Sequence, residues 1–132
     1  MVRAVKPAAA ATVVLDSSCW LEFFMDTPRA TLFADLLEDA DALLVPVITV
    51  YEVIKKIVSE LDDDIASSAL VLMQRSRIVN VDLALATQAM RNGLPLADSL
   101  IYATAQMHGA TLWTQDQHFE GLAGVRYFQK TS

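Results

Sequence analysis

Four carboxylates fall at positions from which a folded chain could aim them at one another: Asp16, Glu52, Asp98 and Asp116. Asp16 closes the apolar run Thr12-Val13-Val14-Leu15, and Asp116 follows Thr111-Leu112-Trp113-Thr114 almost at once. Glu52 and Asp98 stand in the opening turns of two expected helices. Two like charges about 5 Å apart repel by roughly 3 kcal/mol at an effective dielectric near 20, so four acids in one pocket are costly unless cations neutralise them. Hard carboxylate oxygens select Mg²⁺ or Mn²⁺ over softer metals.

Convergence requires elements that deliver the acids to one edge, and the pattern supplies them. Runs such as Val13-Val14-Leu15 and Leu43-Leu44-Val45-Pro46 lack polar alternation and suit the interior of a parallel sheet, covered on both faces. Further strands are expected at Ile78-Val79-Asn80-Val81, Thr111 to Thr114 and Val125 to Phe128, the last at one edge. Helices are expected from Ser17 to about Met25, Arg29 to about Ala40, near Thr49 to Leu61, Asp62 to about Gln74, Asp82 to near Gly93, and Ala97 to about His108, with a short helical turn from His118 to Leu122. Strands alternating with helices predict an α/β fold, a three-layer α/β/α sandwich around a central parallel sheet. In that arrangement strand carboxyl ends and the starts of the following helices share one edge, where open α/β sheets bind ligands.

Each acid has a plainer reading beside the chemical one. Asp16 could simply cap the next helix. Glu52 lies opposite the apolar stripe of its helix, with Lys56 four residues on in the usual surface-pair arrangement. Asp98 shares a stripe with Ile101, Tyr102 and Ala105 and should need a partner there. Asp82 passes the same edge test but also serves as a helix cap, and whether it joins the site stays open. Thr114 is either an ordinary strand end or a donor to a carboxylate or a bound water. His108 complements a helix carboxyl end and His118 packs beside Phe119; neither reads as a ligand or a base. The triple Asp62-Asp63-Asp64 suits a helix amino end.

The 132 residues carry a formal net charge of −6, 54% hydrophobic residues and one cysteine, Cys19. This length is one domain that needs no disulfide or structural metal to hold a core. The lone cysteine is expected to be packed, in a reducing cytoplasm. Residues 1–11 read as a leader and 12–132 as the folded domain. Pro7 and Asp16 interrupt the start too early for a signal peptide, and no stretch is apolar enough for a membrane span. An acidic chain disfavours phosphate backbones, but four acids that hold cations drop out of the balance, which is then roughly −2. Arg29, Lys55, Lys56 and Arg91 are candidates for holding phosphates, although surface solubility also accounts for each.

Four segments together carry a specific resemblance. Val14-Leu15-Asp16-Ser17-Ser18, Pro46 to Val53, Leu96 to Ala105, and Thr114-Gln115-Asp116-Gln117-His118-Phe119 occur in the order and spacing of the PIN-domain ribonucleases. The chain most resembles the VapC-like toxins of toxin-antitoxin pairs. The resemblance implies an endoribonuclease using Mg²⁺ or Mn²⁺, with Asp16, Glu52, Asp98 and Asp116 as the acidic site and Thr114 assisting. It further implies RNA as substrate, a homodimer, and an antitoxin that wraps the early helices. The long apolar stripe Val50 to Leu61 and the aromatic residues Trp20, Phe23, Phe24 and Phe33 are expected to supply the faces such partners cover. The rivals are a catalytically silent PIN-like binding module and a receiver-type signalling domain with Asp82 as phosphate acceptor. The latter lacks paired acids after the first strand, since Ser17 follows Asp16.

Overall fold

The computed structural model describes residues 12–130; the leader 1–11 lies outside the described residues. Five parallel strands form one sheet: β1 (Val13–Leu15), β2 (Leu43–Pro46), β3 (Arg77–Val79), β4 (Thr111–Thr114) and β5 (Val125–Tyr127), in the order β3-β2-β1-β4-β5. Six helices accompany them: α1 (Ser17–Phe24), α2 (Thr31–Glu38), α3 (Val47–Glu60), α4 (Asp63–Gln74), α5 (Leu83–Ala89) and α6 (Leu96–Met107). Two short 3-10 turns, Ala40–Ala42 and Gln117–Phe119, complete the described elements.

The central strands of the sheet are covered on both faces because they alternate between two apolar clusters. Val13 and Leu15 pack with Cys19 and Trp20 of α1, Phe33 of α2, Val53 and Ile57 of α3, and Met73 of α4. Val14, Leu44 and Leu112 turn the other way, onto Ile101, Tyr102 and Ala105 of α6 and onto Phe119. Behind α6, the side chains of Leu85 and Ala89 from α5 meet Ala103, so α6 is enclosed between the sheet and another helix. The three-layer α/β/α architecture expected from the sequence is the one observed.

Chain order reverses at the centre of the sheet. From β1 the chain passes to β2 on one side, and β4 later pairs with β1 on the other, in register Val13 to Thr111 through Leu15 to Trp113. At such a switch point the loops leaving the two central strands diverge and open a crevice outside their carboxyl ends. Asp16 and Asp116 both leave the sheet there.

Several boundaries differ from the sequence reading. Helix α3 begins at Val47 rather than Thr49, because Pro46 ends β2 with φ −60° and ψ 135° and passes directly into the helix as its N-cap. Strand β3 stops at Val79, two residues short, where Asn80 and Val81 lead into the cap of α5. Helix α2 starts at Thr31, since Thr27 to Ala30 form turns in which the Thr27 hydroxyl accepts from the Arg29 backbone N–H at 3.2 Å. Helix α5 ends at Ala89, and the Asn92 side chain then holds the turn, accepting from Leu94 N–H and donating to Ser99 C=O, both at 3.1 Å. Cys19 is fully buried, as expected.

The apolar faces expected to await partners are only in part exposed. Trp20 and Phe33 are core residues, at 1% and 0% exposure, because four helices crowd that face of the sheet. On α3, Val53 and Ile57 are buried and Val50 and Ile54 half-buried, whereas Val58 and, just past the helix end, Leu61 are exposed. No helix among the described residues is long and apolar enough to cross a membrane.

Candidate functional site

Leu15 ends β1, and the Asp16 backbone N–H extends the ladder by donating to Trp113 C=O at 2.9 Å. Asp16 is the N-cap residue of α1, yet its side chain makes no capping bond. Its carboxylate turns instead toward β4, where Oδ2 accepts the Thr114 hydroxyl at 2.9 Å and the Ser18 hydroxyl at 3.0 Å. Only 5% of Asp16 is exposed, and among the described residues no cation pairs with it. Burial pushes its pKa up to about 6 despite the two hydroxyls, and the Asp98 charge adds to the rise.

Thr114 is fully buried and links two acids at once. While its hydroxyl donates to Asp16, the same oxygen accepts the Asp116 backbone N–H at 2.9 Å. The Asp116 carboxylate then accepts the His118 backbone N–H at 2.9 Å, capping the turn Gln117–Phe119. Asp98 enters from the first turn of α6, held by the buried stripe of Ile101, Tyr102 and Ala105 one and two turns on. Its partner is His118, whose Nδ1 lies 2.7 Å from Asp98 Oδ2 and 3.4 Å from Asp116 Oδ1. Burial raises the Asp98 pKa; the His118 hydrogen bond opposes this and the Asp116 charge reinforces it. Asp98, Asp116 and His118 can each offer a ligand atom within 4.8 Å of the others.

Glu52 reaches the site from the second turn of α3, because the helix begins two residues earlier than its sequence suggested. It accepts the Ser17 hydroxyl, while Lys56 pairs with Glu60 at 2.8 Å. The surface-pair reading of Glu52 is therefore replaced by a contact with the residue that follows Asp16.

Asp16, Glu52, Asp98 and Asp116 all line one cleft of about 560 Å³ at the carboxyl edge of the sheet, and Thr114 lies buried beneath it. Asp82 is elsewhere: it caps α5 by accepting Leu85 N–H at 2.9 Å, beyond the far edge strand β3. Four carboxylates on one cleft, one of them buried and without a cationic partner among the described residues, make a set of hard oxygen donors that suits a hard divalent cation.

The sequence reading gave no role at this site to Ser17, Ser18, Gln115, His118 or Lys130, all of which line the cleft. His118 does more than pack beside Phe119, since its ring is exposed and set on two acids; its spacing two residues after Asp116 was the available signal. The proposed phosphate contacts are differently engaged. Arg29 pairs with Glu22 at 3.6 Å, and Lys55 lies over the Tyr51 ring, 5.4 Å from its centroid. Neither these two nor Lys56 and Arg91 line the cleft, whereas Lys130 does.

A family model described as the PIN domain matches residues 13–125. The chain belongs to the PIN domain family. Solved structures resemble it over most of their length. One is a toxin-antitoxin complex from Klebsiella pneumoniae, 22% identical, covering 87% of this chain and 96% of its own, with a TM-score of 0.72. Another is VapC20 from Mycobacterium tuberculosis, described as a sarcin-ricin loop cleaving toxin, at 16% identity, 86% and 97% coverage and a TM-score of 0.72. FitAcB from Neisseria gonorrhoeae is 25% identical, with 89% and 97% coverage and a TM-score of 0.59. The resemblance to PIN domains read from the sequence is borne out, and the fold is one shared with VapC20. A comparison with curated protein sequences finds no match.

Proposed function

We propose that this PIN domain is a Mg²⁺- or Mn²⁺-dependent endoribonuclease that hydrolyses RNA phosphodiester bonds and acts in the cytoplasm as the toxin of a toxin-antitoxin pair. The observation that carries the reading is the convergence of Asp16, Glu52, Asp98 and Asp116 from four separate elements, with Asp16 buried and unneutralised by any described side chain. Membership of the PIN domain family and the likeness to toxin-antitoxin assemblies support it.

Asp16, Asp98 and Asp116 would hold the cation, with Glu52 beside them. The chemistry supplied there is Lewis acidity, which lowers the pKa of water and offsets charge building on the phosphoryl oxygens. The protein's own share is placement. Thr114 fixes Asp16 and Asp116 relative to each other through one hydroxyl. Ser17 aims Glu52, whose free oxygen can accept a proton from an attacking water. Lys130, on the cleft wall, offers a cation to a substrate phosphate.

Partners follow from the remaining surface. Val50, Tyr51, Ile54, Val58 and Leu70 line an apolar groove between α3 and α4 that a second copy would cover. An antitoxin that extends a basic side chain into the cleft would pair with these acids and displace the metal.

Purified protein should cleave single-stranded RNA with Mn²⁺ present, stop on chelation, and leave a DNA strand of the same sequence intact. Asp98→Asn should fold and lose at least about a hundredfold in rate. Cleavage indifferent to chelator or to Asp98→Asn overturns the reading. Light scattering should give twice 14.5 kDa, and expression alone should arrest growth unless Asp16→Ala is introduced.

A further inference from the structure

The cleft takes part of its wall from the chain that leaves β5. Tyr127, the last residue of β5, pairs in register with Thr114, whose hydroxyl holds Asp16 and the Asp116 backbone. Beyond it the Phe128 N–H donates to Thr114 C=O at 2.8 Å, so the segment runs on past the carboxyl edge of the sheet beside β4. Its side chains alternate between the two faces. Arg126 and Phe128 turn one way, where the guanidinium lies 4.5 Å from the centroid of the Trp113 ring and Phe128 meets Phe33 at 5.5 Å. Val125 packs the other way, onto the cluster that includes Ile101 and Tyr102 of α6, and Tyr127 follows it two residues on. That is the side from which Asp98 enters, and Tyr127 lines the cleft together with Gln129 and Lys130.

The Tyr127 ring is half-buried, so the sheet fixes it while part of its surface faces the cleft. Its neighbours along the strand are engaged: Arg126 lies over both Trp113 and Phe128, and those two rings pack on each other. Tyr127 enters no aromatic or cation–π contact among the described residues. Of the described residues lining the cleft, it supplies the one benzene ring, and Lys130, three residues on, is the one Lys or Arg.

An aromatic face and a cation side by side are the groups that hold a single-stranded nucleic acid. The ring stacks on a base and the cation meets the backbone, and neither requires a sequence, because every base has a π-face. The position suits this use. Paired strands stand about 5 Å apart, so Tyr127 rises one strand from Thr114, beside the acids and clear of them. A nucleotide whose phosphate lies at the acids has its base within reach of the ring. A base inside a duplex is covered by its neighbours on both faces and has none to give.

We propose that Tyr127 and Lys130 form a subsite for one unpaired nucleotide beside the bond to be cut, its base stacked on the Tyr127 ring and a phosphate held by Lys130. The choice of RNA rests on the ribonuclease reading. The subsite adds the residue that holds the base and the reason a single strand is taken.

Binding tests this apart from cleavage. In the cleavage-blocked Asp98→Asn protein with Mn²⁺, the fluorescence anisotropy of a labelled single-stranded RNA gives Kd, and each nucleotide in turn is replaced by an abasic one. Binding should weaken about tenfold at one position and little elsewhere. With Tyr127→Leu added, the intact RNA should bind about tenfold more weakly and the scan should be flat. Tyr127→Phe should match tyrosine, since the face and not the hydroxyl makes the contact. Lys130→Gln should weaken all sequences alike and lower the slope of log Kd against log salt by about 0.7. A flat scan with Tyr127 in place overturns the proposal, and that arm needs no variant at position 127 to fold. Tyr127→Phe binding as weakly as Tyr127→Leu also overturns it, by showing a hydrogen bond in place of a stack. If wild type leaves RNA uncut with Mn²⁺ while the scan shows its one position, the ribonuclease reading falls and the subsite stands; cleavage together with a flat scan does the reverse.

Discussion

The two walls of the cleft solve the same electrostatic problem in different ways. On the β4 and α6 side, Asp98 and Asp116 meet His118, a side chain able to carry positive charge, and that ring faces solvent. On the β1 side, Asp16 is buried with two hydroxyls and no cation. A hydroxyl donates a hydrogen bond but supplies no charge, so burial prevails and the Asp16 pKa climbs to about 6. The fold therefore gives one half of its acidic site a partner able to carry charge and leaves the other half at a cost in free energy. That asymmetry is what one expects where a cation from solution completes the β1 side.

The largest expected effect comes from removing the uncompensated charge. Asp16→Asn should abolish RNA cleavage, yet the metal-free variant should be more stable than wild type at neutral pH. The folded pKa lies above the ordinary 3.8, so the folded state holds the proton more tightly than the unfolded chain. Wild type consequently loses stability as pH rises between about 4 and 6, by up to about 3 kcal/mol, and the variant lacks this slope. Denaturant titrations with chelator at pH 4 and pH 7 measure it. Added Mn²⁺ should then stabilise wild type more than the variant. Parallel pH profiles would remove the contrast between the walls.

Removing the shared hydroxyl should have a smaller effect. Thr114→Val takes one bond from Asp16 and another from the Asp116 backbone, in a position that is fully buried. A loss of about 1 to 3 kcal/mol follows. Because the Thr114 bond lowers the Asp16 pKa, it favours the ionised carboxylate, and the loss should be greater at pH 7 than at pH 4. Thr114→Ser restores the hydroxyl and should recover most of the stability. An equal loss at both values would mean that Thr114 acts by packing alone.

Much of this geometry was legible in the sequence because it depends on local pattern. Unbroken apolar runs marked the central strands, and an acid closing such a run marked the site edge; Asp16, Glu52, Asp98 and Asp116 do line one cleft. What stayed hidden depends on which elements become neighbours. His118 looked like a packing residue because its partner Asp98 is on another element, and the α6 start meets the turn after β4 only in the folded chain. Glu52 resembled half of a surface pair until α3 was set beside α1, where Ser17 competes for it. Trp20 and Phe33 resembled partner-facing aromatics because nothing in their own helices reveals that four helices share one face of the sheet. Gln115 carried no pattern at all: a glutamine at a strand end is common, and only its burial beside the site sets it apart.

The smallest effect belongs to His118, and its sign distinguishes the two walls. Its pKa is raised from the ordinary 6.5, chiefly by the hydrogen bond to Asp98, with the Asp116 charge adding to the rise. A group whose folded pKa is raised contributes its stability in full below the unfolded value and loses it as pH rises through the folded one. His118→Asn should therefore lower the melting temperature of the metal-free protein slightly at pH 6 and leave it unchanged at pH 9. The ring is exposed, where ion pairs contribute little. The Asp16 slope falls between about pH 4 and 6, whereas this one lies above 6.5, so the two can be read separately from one stability profile. Two single variants then assign each slope to its wall. If His118→Asn were as destabilising at pH 9 as at pH 6, the ring would be acting as a neutral hydrogen-bond donor, and the α6 wall would hold its acids as the β1 wall does, without a charge of its own.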